Sequence, residues 1–257
     1  MTTALVTGAT AGIGHEFARQ LAARGDNLVL VARDRARLDA VAAELTADFG
    51  VRAEVLVADL ANRAEVDAVA ARLGDAAAPV DILVNNAGFG LKTSFLRSEV
   101  ADELRMLDVL CGAVLVLSHA AARAMRERGR GRIINVSSVA GFAPMGSYSA
   151  AKAWVTSFSE GLASELSGSG VSVTALCPGF TRTEFHQRAN MSMASTPEFM
   201  WLDAQALVRE ALADSERARV VSVPGLQYKV LVAALDVIPG GVRRAVSGMV
   251  GNRRRPR

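Results

Sequence analysis

The chain has 257 residues, 51% hydrophobic but only 5% aromatic, a balance that excludes an intrinsically disordered protein and predicts a core built from Ala, Val and Leu. The formal net charge is +3, and part of it comes from the arginine-rich tail at 253–257. Such a terminal run is more often solvated than bound to nucleic acid or lipid. Cys111 and Cys177 lie in apolar stretches and the three histidines are isolated, so we expect no disulfide framework, no metal site and no nucleic-acid partner.

The start of the chain has no basic segment followed by an apolar stretch and a cleavage site. No run of 18 apolar residues occurs, so no integral membrane segment is expected. We therefore expect a cytoplasmic protein.

The first elements predict a nucleotide-binding unit. Residues 3–7 are a short apolar run typical of a buried strand, and 27–32 are a second such run. Between them lie a glycine-rich turn, with Gly8, Gly12 and Gly14, and a helical pattern. Glycines let backbone N–H groups approach phosphates, and the start of the following helix favours negative charge. This order is the opening of a dinucleotide-binding βαβ unit.

The alternation then continues. We predict helices at 34–48, 62–73, 99–128 and through Tyr148 to about Leu166, with strands at 54–58, 80–84, 132–136, 171–176 and 220–223. Strands that alternate with long helices predict an α/β, Rossmann-type, doubly wound sheet of seven mostly parallel strands, with helices on both faces. No break in composition divides the chain, so we predict one domain over 1–257.

Tyr148 and Lys152 are four residues apart, just after the serine pair Ser137 and Ser138. In a helix this spacing places both side chains on one face. A lysine ammonium beside a phenol favours the phenolate, so we expect the pKa of Tyr148 to be lowered toward neutrality. Such a tyrosine can donate and accept a proton. Taken alone, the pair is equally typical of a packing residue and a surface charge.

Together these motifs resemble the short-chain dehydrogenase/reductase family from Thr7 to Thr183. The resemblance implies a catalytic trio of Ser138, Tyr148 and Lys152 and no metal. It implies hydride transfer between a nicotinamide and a carbonyl or secondary alcohol carbon, with Tyr148 as proton donor. The implied cofactor contacts are Gly8, Thr10, Gly12, Ile13, Gly14, Arg33, Asp59, Leu60, Asn86, Ala87, Gly88, Tyr148, Lys152, Pro178, Gly179, Thr181 and Thr183.

The end of the second strand indicates which dinucleotide binds. An acidic residue there would bind the ribose 2′-hydroxyl of NAD, but the strand ends in Ala32-Arg33. Arg33 suits a 2′-phosphate because its guanidinium binds phosphate at two points, whereas Asp34 is expected to cap the next helix. We predict NADP(H), with NAD less favoured. The alternative is that Arg33, Arg35 and Arg37 form only a solvated helix start.

Two features depart from the family pattern. Leu110 lies where the family usually has an asparagine that helps to carry a proton relay, so an active enzyme with an impaired relay is expected. Ser138 and Tyr148 are ten residues apart, where about thirteen is more usual, so the loop at 139–147 is short. Ser137 is an alternative to Ser138, although strand alternation lets only one of them face the site.

The last third of the chain bears on substrate and partners. Methionines and aromatics at about 184–202 suit a lid over a bulky apolar ligand, or simply a helix packed on the sheet. The extension at about 224–257 resembles the branch with 3-oxoacyl and hydroxysteroid reductases. It could pack on the core, contact a subunit or rest on a membrane. The resemblance implies a lipophilic ketone or 3-oxoacyl substrate and a homodimer or homotetramer. The alternative function is a non-catalytic NADP(H)-binding sensor or scaffold.

Overall fold

The computed structural model describes residues 2–91, 93–183 and 197–237. Most of the predicted lid and the chain after Val237 therefore lie outside the described residues. The strands are β1 (Thr3–Thr7), β2 (Asn27–Ala32), β3 (Ala53–Val57), β4 (Ile82–Asn85), β5 (Gly131–Val136), β6 (Val171–Leu176) and β7 (Val221–Ser222). The helices are α1 (Gly12–Ala23), α2 (Arg35–Phe49), α3 (Arg63–Gly74), α4 (Val100–Leu107), α5 (Ala113–Glu127), α6 (Ser147–Glu165), α7 (Ala204–Glu216) and α8 (Leu226–Val237).

The seven strands form one parallel sheet in the order β3-β2-β1-β4-β5-β6-β7. This confirms the predicted fold class. The strand order reverses between β1 and β4, and ligands of such sheets bind in the crevice beyond the carboxyl ends at this point.

Side-chain alternation along the strands supplies a core on each face of the sheet. On β1, Val6 packs in the core that also contains Phe17 of α1 and Leu212 of α7. Leu5 points to the other face, where the core includes Leu117 of α5. The central strands β1, β2 and β4 are buried on both faces, as parallel strands covered by helices are, whereas edge strand β3 is partly exposed.

Helix ends follow the local chemistry of the sequence. Asp34 is the N-cap of α2, and its carboxylate accepts a hydrogen bond from the backbone N–H of Arg37, as predicted. Gly25 follows α1 with a φ of 85°, a left-handed conformation that glycine adopts without a steric cost. These local signals mark the end of α1 and the start of α2.

Two helical regions differ from the prediction. The long helix predicted at 99–128 is divided by a π-helical segment, Asp108–Gly112, between α4 and α5. Helix α7 was not predicted, although its buried residues Leu207, Val208, Ala211 and Leu212 have helical spacing. This apolar face packs against α1 and β6, so α7 completes the layer that also contains α1 and α2.

One helical run, Val100–Glu127, is long and apolar enough to cross a membrane by length and composition. Its buried side chains, including Ala113, Leu117 and Met125, pack into the core beside the sheet. The run therefore has the contacts of a core helix.

Candidate active site

The turn between β1 and α1 forms a tight backbone cradle. Gly8 and Gly12 have φ values of 67° and 56°, which favour glycine. A Cβ on Gly14 would lie 2.3 Å from the carbonyl oxygen of Gly8, so only glycine lets the helix approach the strand this closely. The N-cap residue of α1 is Ala11, whose side chain cannot accept the first N–H groups of the helix. These backbone N–H groups can therefore bind an anion. Thr10 lies in the same turn.

The segment after β4 locks this cradle in place. Thr7 is buried, and its hydroxyl accepts hydrogen bonds from the N–H groups of Asn86 (2.9 Å) and Ala87 (3.0 Å). The Asn86 amide in turn donates to the Thr7 carbonyl oxygen at 2.9 Å. The cradle glycines and the Asn86–Gly88 segment are thus brought together, as the sequence predicts.

The segment after β6 forms the opposite wall. A Cβ on Gly12 would lie 3.0 Å from Cβ of Thr183, so Thr183 reaches the cradle from the far side. Pro178 and Thr181 are buried, and the Thr181 hydroxyl donates to the Gly179 carbonyl oxygen at 3.0 Å. These predicted cofactor residues therefore lie on one edge of the sheet with the glycine turn.

At the other end of the cradle, the Asp59 carboxylate is held by two groups. One carboxylate oxygen lies 2.6 Å from Nη2 of Arg105, and the other accepts the N–H of Ala61 at 3.1 Å. Leu60 beside it is buried. Arg105 comes from α4, 46 residues along the chain. No local signal connects the two, so the sequence analysis missed Arg105.

Arg33 is exposed where β2 ends. In the described part of the chain it has no ion-pair partner. In contrast, Nε of Arg35 lies 3.4 Å from Asp39 and Nε of Arg37 lies 3.9 Å from Asp34. Of the three neighbouring arginines, Arg33 is thus the one whose guanidinium is not held by a local acid.

The two serines after β5 face in different directions. Ser137 is buried, and its hydroxyl donates to the Lys152 carbonyl oxygen at 2.7 Å. Ser138 is half-buried and forms a hydrogen bond to the Tyr148 hydroxyl. Strand alternation therefore directs Ser138, and not Ser137, toward Tyr148, as expected.

The loop between Ser138 and Tyr148 is held against α6. The hydroxyl of buried Ser149 lies 2.7 Å from the carbonyl oxygens of both Ala140 and Ala143. A Cβ on Gly141 would lie 2.9 Å from the backbone nitrogen of Ala153. The short loop therefore folds as a 3₁₀ turn packed directly on the helix that carries Tyr148 and Lys152.

The expected lowering of the Tyr148 pKa is wrong for this structure. Burial raises the pKa of Tyr148 to about 12, and the hydrogen bond from Ser138 only partly opposes this. Lys152 is buried, and burial lowers its pKa to about 8. Its Nζ donates to the Val136 carbonyl oxygen at 2.7 Å and lies 5.8 Å from the centroid of the Tyr148 ring. Desolvation is therefore the largest influence on the pKa of both groups.

Leu110 lies inside the site. It is buried in the π-helical segment and packs with Met106 and Ala151, with Tyr148 against the same cluster. A Cβ on Gly88 would lie 2.8 Å from Cδ2 of Leu110 and 3.9 Å from Nζ of Lys152. An apolar side chain therefore occupies the space next to Lys152.

A buried carboxylate supports the start of α6. Glu103 of α4 accepts hydrogen bonds from the hydroxyls of Ser98 (2.7 Å) and Ser147 (2.5 Å). Ser147 is the residue before Tyr148, so Glu103 positions the first turn of α6. The sequence analysis missed Glu103, because a glutamate in an amphipathic helix gives no sign that it is buried.

Asn85 belongs to a second buried polar group. Its amide donates to Oδ1 of Asn135 at 2.9 Å and to the Ser118 hydroxyl at 3.1 Å, and the Asn135 amide donates to Ser159 at 3.0 Å. This network joins β4, β5, α5 and α6 in the core. It steadies the strands that end at the site, and Asn135 is another residue that sequence reasoning missed.

A cleft of about 700 Å³ opens at the opposite, amino-terminal edge of the sheet. Its charged side chains are already paired, with 3.4 Å between Arg130 and Asp81 and 3.3 Å between Arg132 and Glu216. Parallel sheets bind ligands at the other edge. The candidate site is therefore the glycine cradle together with Ser138, Tyr148 and Lys152. The backbone of the cradle fits a dinucleotide. No cluster of metal-binding side chains occurs in the described residues.

Comparisons with known proteins agree with this geometry. A family model described as short chain dehydrogenase matches residues 2–194. A 3-oxoacyl-[acyl-carrier-protein] reductase from Synechocystis sp. is 39% identical over 193 residues, covering 73% of this chain and 77% of that protein.

Two solved structures cover nearly the whole chain. A short-chain dehydrogenase from Sphingobium yanoikuyae in complex with NADPH superposes with a TM-score of 0.86 at 39% identity, over 96% of this chain and 95% of the other. A structure from work on 7β-hydroxysteroid dehydrogenase stereoselectivity superposes with a TM-score of 0.87 at 25% identity, over 96% of both chains. The family resemblance and its two branches, predicted from sequence, are confirmed.

Proposed function

Because the chain belongs to the short-chain dehydrogenase family and is an oxidoreductase that binds a nicotinamide dinucleotide, we propose that it is an NADPH-dependent reductase of lipophilic ketones or 3-oxoacyl compounds. The observation that carries this proposal is the hydrogen-bonded pair Ser138 and Tyr148, with Lys152 one helical turn away, beside the glycine cradle. Such an arrangement can hold and protonate a carbonyl oxygen at a fixed place next to a cofactor.

A dinucleotide held by the glycine cradle would supply the hydride. As the hydride adds to the carbonyl carbon, the π electron pair moves to the oxygen, and the Tyr148 hydroxyl gives that oxygen its proton. Ser138 donates a hydrogen bond to the same oxygen and holds it in place. With a pKa of about 12, Tyr148 is protonated at neutral pH, which suits a proton donor in the reduction direction. The product is a secondary alcohol.

Lys152 balances the charge that this step leaves behind. Proton transfer converts Tyr148 into a phenolate, and the Lys152 ammonium one turn away stabilises that anion. With a pKa of about 8, Lys152 is mostly protonated at neutral pH. The Val136 carbonyl oxygen fixes the position of Nζ.

The preference for NADPH rests on Arg33. Its exposed guanidinium has no ion-pair partner among the described residues, and it follows β2 where a ribose phosphate would lie. We expect Arg33→Ala to weaken NADPH binding about tenfold or more while NADH binding changes little, because only NADPH carries the 2′-phosphate. Titration of both cofactors by fluorescence measures this.

Arg35→Ala is the matched control, because Arg35 is equally exposed but already paired with Asp39. If the ratio of NADPH affinity to NADH affinity is unchanged in Arg33→Ala, the proposed preference for NADPH has no support.

The substrate class follows from the groups around Tyr148. Phe89, Leu91 and Leu110 pack in the cluster that Tyr148 adjoins, so the surroundings of the reacting hydroxyl are apolar. The similar proteins include a 3-oxoacyl-[acyl-carrier-protein] reductase and a structure from work on 7β-hydroxysteroid dehydrogenase stereoselectivity. These features support a lipophilic ketone over a small polar one.

The deciding experiment measures NADPH oxidation with a panel of long-chain 3-oxoacyl thioesters, steroid ketones and polyol-derived ketoses. We expect turnover with the first two classes and a loss of at least about 100-fold in kcat in Tyr148→Phe, because the variant cannot donate the proton. NADPH binding, measured separately, should be retained. If NADPH binds but no ketone gives turnover sensitive to Tyr148→Phe, the sensor alternative is favoured.

We also propose that the chain forms a homodimer or homotetramer through its long helices. An exposed apolar stripe runs along α4 and α5, formed by Val100, Leu104, Leu107 and Leu115. Next to this region, Trp154 of α6 is exposed and stacks on Phe158 with their ring centroids 4.9 Å apart. A second copy of the same surface would bury these side chains.

A further inference from the structure

Tyr228 of α8 is buried and takes no part in the proposed proton transfer. Only 1% of its surface is exposed, and a buried tyrosine usually has partners for its hydroxyl. Here the hydroxyl accepts the N–H of Phe180 at 2.9 Å and donates to the Met200 carbonyl oxygen at 2.7 Å. Tyr228 therefore joins the segment that follows β6 to the chain that precedes α7.

The Tyr228 ring fixes the same segment by direct contact. A Cβ on Gly179 would lie 2.0 Å from Cε2 of the ring, so the ring packs on the Gly179 backbone and leaves no space for a side chain. Backbone pairing also holds the segment, since the N–H of Leu202 donates to the Phe180 carbonyl oxygen at 2.7 Å. The ring thus limits movement of Gly179 toward α8, and the hydroxyl limits movement of Phe180 away from it.

The first turn of α8 is itself anchored. The Glu210 carboxylate of α7 lies 2.6 Å from Nζ of Lys229 and accepts the N–H of Gly225 at 3.3 Å. These two contacts hold the chain on both sides of Tyr228. Helix α8 also packs on the 3₁₀ turn Val139–Phe142. Tyr228 is therefore a fixed point against which the segment after β6 packs.

The segment that Tyr228 holds adjoins both halves of the candidate active site. The Pro178 carbonyl oxygen accepts the N–H of Val139 at 3.0 Å and lies 3.5 Å from Oγ of Ser138. Farther along the chain, Thr183 reaches the glycine cradle at Gly12. If the proposed function is right, the nicotinamide end of the dinucleotide must lie beside this segment, because its hydride has to reach a carbonyl held by Ser138.

We propose that Tyr228 is a positioning residue, which fixes the segment 178–181 and thereby places the nicotinamide end of the cofactor against Ser138 and Tyr148. The phosphate end of the cofactor is assigned to the glycine cradle and to the residues after β2 and β3, which belong to other elements. The two ends of the cofactor should therefore respond differently to a change at Tyr228.

The test compares the binding of two ligands to Tyr228→Phe, which keeps the ring and removes the hydroxyl. We expect NADPH to bind about tenfold more weakly, because the acceptor of the Phe180 N–H is lost and the segment can shift. Binding of 2′-phospho-ADP-ribose, which lacks the nicotinamide, should stay within about twofold of the wild-type affinity, because the cradle is unchanged. Isothermal titration measures both affinities. With a ketone substrate, kcat should also fall about tenfold or more.

Thr174→Val is the matched control. Thr174 is also buried, and its hydroxyl donates to the Arg219 carbonyl oxygen at 2.8 Å, so this variant likewise loses a buried hydrogen bond, but within β6. It should lower thermal stability and leave the ratio of the two affinities unchanged. The proposal is overturned if Tyr228→Phe weakens both ligands equally or weakens neither. It is also overturned if Tyr228→Phe does not fold, because the hydroxyl then serves the fold as a whole.

The two affinities need no substrate, so they are independent of the proposed function. A wild type that binds NADPH but reduces no ketone contradicts that function and not the role of Tyr228, which the affinities decide. If the chain prefers NADH, then NADH and ADP-ribose replace the two ligands in the same comparison.

Discussion

At the scale of single residues, burial decides the protonation of the candidate catalytic pair. Helical spacing alone suggests that Lys152 lowers the Tyr148 pKa, but spacing carries no information about desolvation. Tyr148 is half-buried and Lys152 is buried, and burial disfavours the charged form of each. The structure therefore holds a neutral phenol and a lysine that titrates near pH 8. This state favours proton donation to a carbonyl.

The lysine shift has a consequence for stability. The pKa of Lys152 is lowered from 10.5 to about 8 in the folded protein, so between these values the unfolded chain binds more protons. The free energy of unfolding should therefore rise with pH across this window, by up to about 3 kcal/mol. Tyr148 acts in the opposite sense, but only above pH 10. Urea unfolding between about pH 7 and pH 10 measures the rise.

Lys152→Met should remove this rise, whereas Lys229→Met should keep it, because Lys229 is exposed and paired with Glu210. The other titratable groups contribute equally to the pH dependence of both variants, so their contribution cancels in the comparison. The same pH dependence in wild type and Lys152→Met would contradict the prediction.

At the scale of elements, the π-helical segment between α4 and α5 shapes the site. π-helical turns are rare and often occur at functional sites. Here the turn places Leu110 against Gly88, close to Lys152. Periodicity could not predict it, because one inserted residue hardly changes the apolar pattern of a 28-residue helical run. The sequence indicates only that a leucine replaces the usual asparagine. The structure adds that the Leu110 side chain fills the space beside Lys152.

We expect Leu110→Asn to raise kcat severalfold, because an amide there can bridge Lys152 to water and so extend the proton relay. The variant should also lose about 1–3 kcal/mol of stability, since a polar group replaces a buried apolar one. Steady-state kinetics at saturating NADPH, with thermal unfolding, measures both effects.

Leu107→Asn is the control, because Leu107 is also in this helical run but exposed. If kcat of folded Leu110→Asn equals that of the wild type, this position does not limit the relay.

At the scale of the whole molecule, an apolar surface on the long helices faces solvent. The stripe on α4 and α5 suits a second copy of the chain. We expect Leu104→Asp/Leu115→Asp to convert the oligomer into folded monomers, because charged residues cannot be buried in a self-complementary interface. Light scattering at several protein concentrations measures this.

Val57→Asp should stay oligomeric, because Val57 is exposed on β3 and is not part of the stripe. An oligomer that persists in the double variant would place the interface elsewhere. A wild-type protein that is monomeric at all concentrations would contradict the proposed assembly itself.

Much of the fold follows from the sequence alone. The glycine turn between two apolar runs, and the alternation of strands and helices, predict the parallel sheet because backbone conformation and apolar periodicity are local properties. The motif residues at the strand ends also meet at one edge, since parallel strands all end there. The family resemblance supplies Ser138, Tyr148 and Lys152, whose roles stay predictions, as does the cytoplasmic location.

Only the tertiary structure decided how these residues are surrounded. Glu103 and Arg105 hold Ser147 and Asp59 from elements far away in the chain, and Asn135 steadies the strands that end at the site. No local pattern indicates such pairs. The pKa directions of Tyr148 and Lys152 depend on desolvation, which is a property of packing and not of spacing. The sequence thus determined which residues lie at the carboxyl edge of the sheet, and the packing around them determined their charge, because water is excluded only when distant segments come together.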